Sequence, residues 1–94
     1  MRMENSRKLI DLVSVGPATV RDLKELGITE VRQLVKKDAS NLYRRFQLLK
    51  GERVDPCVLD VFRCAIEQAR DPELPHEKCQ WHYWSKVRLG KIEE

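Results

Sequence analysis

Apolar residues recur along this chain at intervals of three and four and nowhere alternate over a useful length, a pattern that predicts helices and no sheet. A short first helix, capped by Asn5 or Ser6, would run to about Val13 and bury Leu9, Ile10, Leu12 and Val13. Ser14-Val15-Gly16-Pro17 interrupts it, because glycine permits close backbone approach and Pro17 presets φ for the first turn of a new helix. That second helix extends to about Leu26, with Val20, Leu23 and Leu26 on one face. Gly27 is its expected left-handed terminus, and Ile28 packs back. Thr29 would cap a third helix ending near Lys37, with Val31, Leu34 and Val35 inward. Asp38 opens a fourth, in which Leu42, Phe46 and Leu49 form the buried stripe and Arg44 and Arg45 face solvent, and Gly51 stops it. Asp55-Pro56 starts the longest helix, which reaches about Arg70 and buries Leu59, Phe62, Ile66 and Ala69 behind a solvated face of Asp60, Arg63, Glu67 and Arg70.

Beyond Pro75 the composition changes. His76, Cys79, Trp81, His82, Tyr83 and Trp84 crowd together in a tail whose periodicity fits either a helix or an extended strap. The favoured reading is a staple over a small core, which gains much from burying indoles. Base stacking or partner anchoring by Trp81, Tyr83 and Trp84 is the alternative. The expected architecture is therefore all-α, one compact domain of about five helices over residues 1–94, with a core at about 5–70 and an aromatic and basic extension at 71–94.

Charge refines this picture by its distribution more than by its sum. The formal net charge is only +3. Arg32 to Arg53 holds seven basic residues against Asp38 and Glu52, whereas residues 54–77 hold two basic against six acidic. No apolar run approaches the ~18 residues of a membrane span, and no signal region follows the first residues, so a cytoplasmic protein without membrane contact is expected. Three cysteines at no framework spacing point to reduced thiols.

The segment Leu12-Val-Ser-Val-Gly-Pro-Ala-Thr19, closed by Leu26-Gly27-Ile28, resembles the helix-hairpin-helix motif of DNA repair and recombination proteins. A turn of this kind that opens a helix presents backbone N–H groups at the positive end of the helix dipole, which suits a phosphate whatever the base sequence. The resemblance implies that the backbone of Ser14, Val15, Gly16 and Ala18 faces a phosphate, with Thr19, Arg21 and Lys24 as neighbouring donors. Ser14 stands where the motif has its first glycine, so a positive φ there would strain it. Such hairpins commonly come in pseudo-symmetric pairs, in the manner of tandem or SAM-like domains. Asn41 to Arg70 would supply a structural second half, with Lys50 and Arg53 adding charge at its turn.

From Leu9 to about Leu89 the sequence resembles the small helix-hairpin-helix proteins of the bacterial "pathogenicity locus" family. The stretch Asp55-Pro-Cys-Val-Leu-Asp-Val-Phe-Arg-Cys64 and the tail Trp81 to Trp84 carry that resemblance. More distantly, Leu12 to about Arg70 is similar to the C-terminal domain of the TfoX competence regulators. Both resemblances imply helical architecture and neither implies an established activity.

Other chemistry is sparse. Cys57 and Cys64 lie seven apart on one helix side, where burial in the apolar stripe is favoured over a reactive thiolate at Cys57. His76-x-x-Cys79-x-x-His82, completed by Cys57, has zinc-ligand residue types at no recognised zinc spacing, so no metal or other cofactor is expected. No nucleophile stands beside a base and an orienting group, so no catalysis is expected. The function expected is weak, salt-dependent, non-sequence-specific DNA binding through the hairpin. A protein-interaction adaptor with a purely structural hairpin is the alternative, and a protein partner or a homodimer mate is compatible with either.

Overall fold

In the computed structural model, which describes residues 7–93, the chain forms α1 (Pro17–Glu25), α2 (Val31–Leu34), α3 (Ala39–Lys50), α4 (Pro56–Arg70) and α5 (Trp81–Arg88). Single 3-10 turns lie at Leu9–Asp11 and His76–Cys79, and no strand occurs among the described residues. Helix α4 is the element on which the others converge: α5, α3, α2 and the second 3-10 turn all pack on it. Its sequence suits that position. The Asp55 carboxylate accepts the N–H of Cys57 at 2.9 Å, Pro56 occupies the first turn, and Phe62, Cys64, Ala65, Ile66, Gln68 and Ala69 are buried.

The predicted helix stops hold. Gly27 has φ 85° and the Ile28 N–H reaches back to the Leu23 carbonyl at 2.9 Å, which seats Ile28 in the core. Gly51, at φ 70°, ends α3. The core runs from Leu9, Leu12 and Val15 through Leu23, Ile28, Val31 and Leu34 to Leu42, Phe46, Phe62 and Ile66. Phe46 meets Phe62 edge to face at 5.9 Å between ring centres, which fastens α3 to α4. No helix among the described residues is long and apolar enough to cross a membrane.

Four expectations need correction. The first helix is only a 3-10 turn over Leu9–Asp11: its spacing of three places Leu9 and Leu12 inward together, and leaves Ile10 and Val13 exposed. The proposed caps Asn5 and Ser6 lie outside the described residues. The third helix is shorter than expected, Val31–Leu34, and Glu30, not Thr29, is its capping residue; the Gln33 amide oxygen accepts the N–H of both Thr29 and Glu30.

Leu49 leaves the α3 stripe and is 54% exposed. The loop after α3 folds back on the other side of the helix, where the Val54 N–H donates to Gln47 Oε1 and the Tyr43 hydroxyl donates to the Val54 carbonyl, so nothing covers Leu48 and Leu49. Asp60, expected in solvent, is 2% exposed. The aromatic tail is helical, as α5, and brings Arg88 onto the Asp60 carboxylate through two hydrogen bonds of 2.9 and 3.0 Å. The hydrogen bond to Asp60 also raises the Arg88 guanidinium above its ordinary pKa.

The tail reading as a staple holds for Trp84, which is 5% exposed, donates its indole N–H to the Lys78 carbonyl at 2.7 Å and lies under the Arg63 guanidinium at 4.6 Å. Trp81 stays 37% exposed. Since Asp60 is buried and bidentately bonded, Arg88→Ala strands a carboxylate and is expected to cost about 2–3 kcal/mol of folding free energy. Asp60→Asn in the Arg88→Ala background should recover part of that loss, because an amide needs no counter-charge. Urea unfolding of the three proteins measures both effects, and equal midpoints for wild type and Arg88→Ala would show the pair to be idle.

Candidate nucleic-acid interface

The hairpin between the first 3-10 turn and α1 is shaped by two contacts from far along the chain. Gln68, buried in α4, accepts the Val13 N–H at 3.0 Å and donates its amide N–H to the Val13 carbonyl at 2.8 Å. One side chain thereby satisfies both backbone groups of a residue that belongs to no helix. Ser14 follows at φ 71°, in the left-handed region where glycine is the easy occupant. Its hydroxyl donates to the Cys79 carbonyl at 3.3 Å and accepts the Trp81 N–H at 3.1 Å, which ties the turn to the start of α5. Ser14 therefore holds the conformation a glycine would adopt freely, and its side chain offsets part of the strain with tail contacts that glycine lacks.

The predicted site residues separate into two groups. At the turn, the Val15 side chain is in the core and its N–H donates to the Leu12 carbonyl at 3.2 Å, so that donor is spent. Gly16, at φ −105° and ψ −176°, is the extended residue before α1. The N–H groups of Gly16, Ala18 and Thr19 have no hydrogen-bond partner among the described residues, and they gather at the N-terminus of α1, where Ala18 is exposed. Arg21 is exposed in the middle of that helix, and Lys24 is exposed in its last turn, away from the turn at its start.

Lys50 and Arg53 belong elsewhere. Lys50 Nζ lies 2.9 Å from Glu25 Oε1, at the far end of α1. A nine-residue helix separates it from the turn by roughly 13 Å. Its hydrogen bond to Glu25 raises the Lys50 pKa, and burial raises that of Asp22 nearby. Arg53 is exposed in the loop after α3.

Several other cations are engaged by the fold itself. Arg45 donates to the Leu26 carbonyl at 3.3 Å, and Arg70 donates to the carbonyls of Val35 and Lys37, each at 2.9 Å, so both cap the ends of preceding segments. Of the basic stretch from Arg32 to Arg53, Lys50 and Arg45 are thereby held at the end of α1 opposite the turn.

Cys57, His76, Cys79 and His82 are not assembled into a common centre. Among the described residues, no three His, Cys, Asp or Glu side chains come together in a way that could hold a metal ion. Cys79 Sγ contacts the Leu74 carbonyl at 3.7 Å, and the His82 ring leans on Trp81 at 5.9 Å. Cys64 Sγ contacts the Cys79 carbonyl at 3.0 Å, and burial pushes its thiol up to about 11.

A family model described as "Cdd1: Pathogenicity locus" matches residues 2–89 of this sequence. The chain belongs to that family. Among curated proteins it is similar to the mitomycin resistance protein McrB of Streptomyces lavendulae, 38% identical over 84 residues that span 88% of this chain and 76% of that protein. No solved structure matches. The family match takes in the hairpin, Gln68 and α5 alike, so the turn and the elements that clamp it lie within one family unit.

Sequence reasoning located the turn and its serine, and it missed Gln68 and the tail contact, which join positions 55 to 67 residues apart. Ser14→Ala keeps the backbone strain and loses both hydroxyl bonds, so it is expected to destabilise the fold by about 1–2 kcal/mol. Ser14→Gly loses the same bonds and relieves the strain, so it should fall between Ser14→Ala and wild type. Thermal unfolding orders the three, and a Ser14→Ala protein as stable as wild type would show that the tail contacts contribute nothing.

The thiols provide a second check. The raised Cys64 pKa means that the fold favours the neutral thiol. Its contribution to stability is complete below the unfolded value of 9 and is lost as pH rises toward about 11. In native protein at pH 8, Cys64 should resist alkylation until the chain unfolds. Labelling at a rate that matches the unfolded chain would contradict its burial.

Proposed function

We propose that this protein binds DNA without sequence preference, gripping a backbone phosphate at the start of α1 as a helix-hairpin-helix turn does. The observation that carries the reading is the trio of open N–H groups at Gly16, Ala18 and Thr19, gathered at a helix N-terminus behind a turn held rigid by Gln68 and Ser14. The positive φ of Ser14 supports it, since serine here adopts a glycine-like conformation at the position where the motif has its first glycine. Arg21 adds positive charge in the middle of the same helix, beside Asp22, and Lys24 follows at longer range in its last turn. Nothing in this grip reads a base edge.

The reading is a modest one energetically. With Lys50, Arg45 and Arg70 occupied inside the fold, the site neutralises one or two phosphates. Affinity should then fall with salt at a logarithmic slope of about −1 to −2. The site serves binding and not catalysis. If the 38% identity to the mitomycin resistance protein extends to activity, survival of cells under mitomycin becomes a phenotype to follow when this chain is removed or mutated.

Gly16 makes the test clean. A Cβ at Gly16 meets nothing within 4 Å, and its φ is ordinary for any residue, so Gly16→Asp fits the fold. Aspartate at this position caps α1 with its own carboxylate, which favours the helix and fills the phosphate position. Fluorescence anisotropy with labelled duplex and single-stranded DNA at two salt concentrations should show at least tenfold weaker binding for Gly16→Asp, with unchanged or higher thermal stability, and a smaller loss for Lys24→Glu. Absence of binding by wild type at low salt, or equal binding by Gly16→Asp, removes the phosphate grip and leaves the hairpin as a packing element.

A further inference from the structure

Helix α3 ends in an apolar surface that the fold leaves uncovered. Leu48 is 76% exposed and Leu49 54%, side by side on the last turn of a helix whose inward face is already supplied by Ala39, Leu42 and Phe46. Two shallow depressions flank the pair and share Leu48 as a common wall. One, of about 360 Å³, is bounded by Leu26, Arg45, Glu25 and Leu49; the other, of about 440 Å³, by Arg44, Gln47, Gly51, Glu52 and Arg53.

The charge around them is one-sided. Arg44, Arg45 and Arg53 line the depressions against Glu25 and Glu52, and Lys50 neutralises Glu25 at 2.9 Å. Arg44 and Arg45 each donate one hydrogen bond, to Asn41 Oδ1 and the Leu26 carbonyl, which leaves most of each guanidinium fork directed elsewhere. This surface lies beyond the far end of α1 from the phosphate turn and is independent of it.

We propose that the end of α3 docks an acidic amphipathic helix of a partner protein, its apolar side chains seated in the depressions around Leu48 and Leu49 and its carboxylates on the arginines. Charge decides among occupants. A second copy of this chain would contact itself through the same patch on both sides and oppose cation to cation, which disfavours it. A polyanion would satisfy the arginines and leave the leucines wet. A lipid surface would need an apolar face lying flat, whereas the apolar face of α3 is in the core and only its last turn protrudes. An acidic helix with apolar residues spaced three and four apart satisfies both components. So small a surface gives a transient complex, with dissociation constants on the order of micromolar or weaker.

The test uses the full chain and a designed probe, an amphipathic peptide with leucines on one face and glutamates on the other, beside an analogue carrying lysine for every glutamate. In heteronuclear NMR titrations the glutamate peptide should shift amides of Glu25, Leu26 and residues 44–53. Leu48→Ser/Leu49→Ser and Arg44→Glu/Arg53→Glu, both at exposed positions, should weaken it at least tenfold with unchanged circular dichroism. Equal binding of both peptides, binding of neither, or retention by the leucine variant overturns the proposal. So does a wild-type dimer in sedimentation that Leu48→Ser dissociates, cosedimentation with anionic vesicles that Leu48→Ser abolishes, or DNA binding lost by the leucine variant while Gly16→Asp still binds.

Discussion

Two hydrogen bonds from one buried amide decide where the hairpin of this protein sits. Gln68 projects from α4 and meets the N–H and the carbonyl of Val13, a residue with no helical neighbour to satisfy either group. A backbone segment this close to a core cannot leave such groups unpaired without losing roughly 1–3 kcal/mol for each. The turn is therefore indexed to α4, the helix against which α2, α3 and α5 also pack. Ser14 comes next in the chain and closes the arrangement from the other side through Cys79 and Trp81. The direction of α1, and of the N–H groups at its start, follows from these two anchors.

The basic residues tell a complementary story. A net charge of +3 with a cluster between Arg32 and Arg53 resembles an electrostatic footprint when written as a line of letters. In three dimensions Arg45 and Arg70 satisfy main-chain carbonyls, Lys50 pairs with Glu25, and Arg88, from the tail, neutralises the buried Asp60. Guanidinium groups suit this work because their several N–H donors reach carbonyls and carboxylates at once. Among the cations left toward solvent are Arg21 in the middle of α1, and Arg44 and Arg53 beside exposed leucines at the end of α3.

Local rules made much of this legible. Gly27 and Gly51 were readable as left-handed stops, Asp55-Pro56 as the opening of α4, and Leu42, Phe46, Phe62 and Ile66 as core, because each depends on residues within a turn or two. Ser14 stood out as the position where a positive φ would meet a side chain, and it does. The partners of that turn were not legible: Gln68 is 55 residues from Val13, and nothing in its neighbourhood distinguishes it from any helical glutamine. Asp60 and Leu49 were misplaced for the same kind of reason. The first is buried by α5, whose form the tail pattern left open, and the second is exposed by the path of a loop that Tyr43 and Gln47 pull to the opposite side of α3.

Family membership adds a frame to this geometry: the matched span covers the hairpin and both of its anchors, and a relative from Streptomyces lavendulae carries the name mitomycin resistance protein. Whether the turn contacts phosphate rests on three backbone amides. Following those amides by nitrogen-15 NMR while short duplex DNA is added at low salt tests this most directly. A phosphate held at the start of α1 shifts Gly16, Ala18 and Thr19 together and leaves the already bonded Val13 and Val15 nearly still. Movement confined to other residues, or none at all, would contradict it.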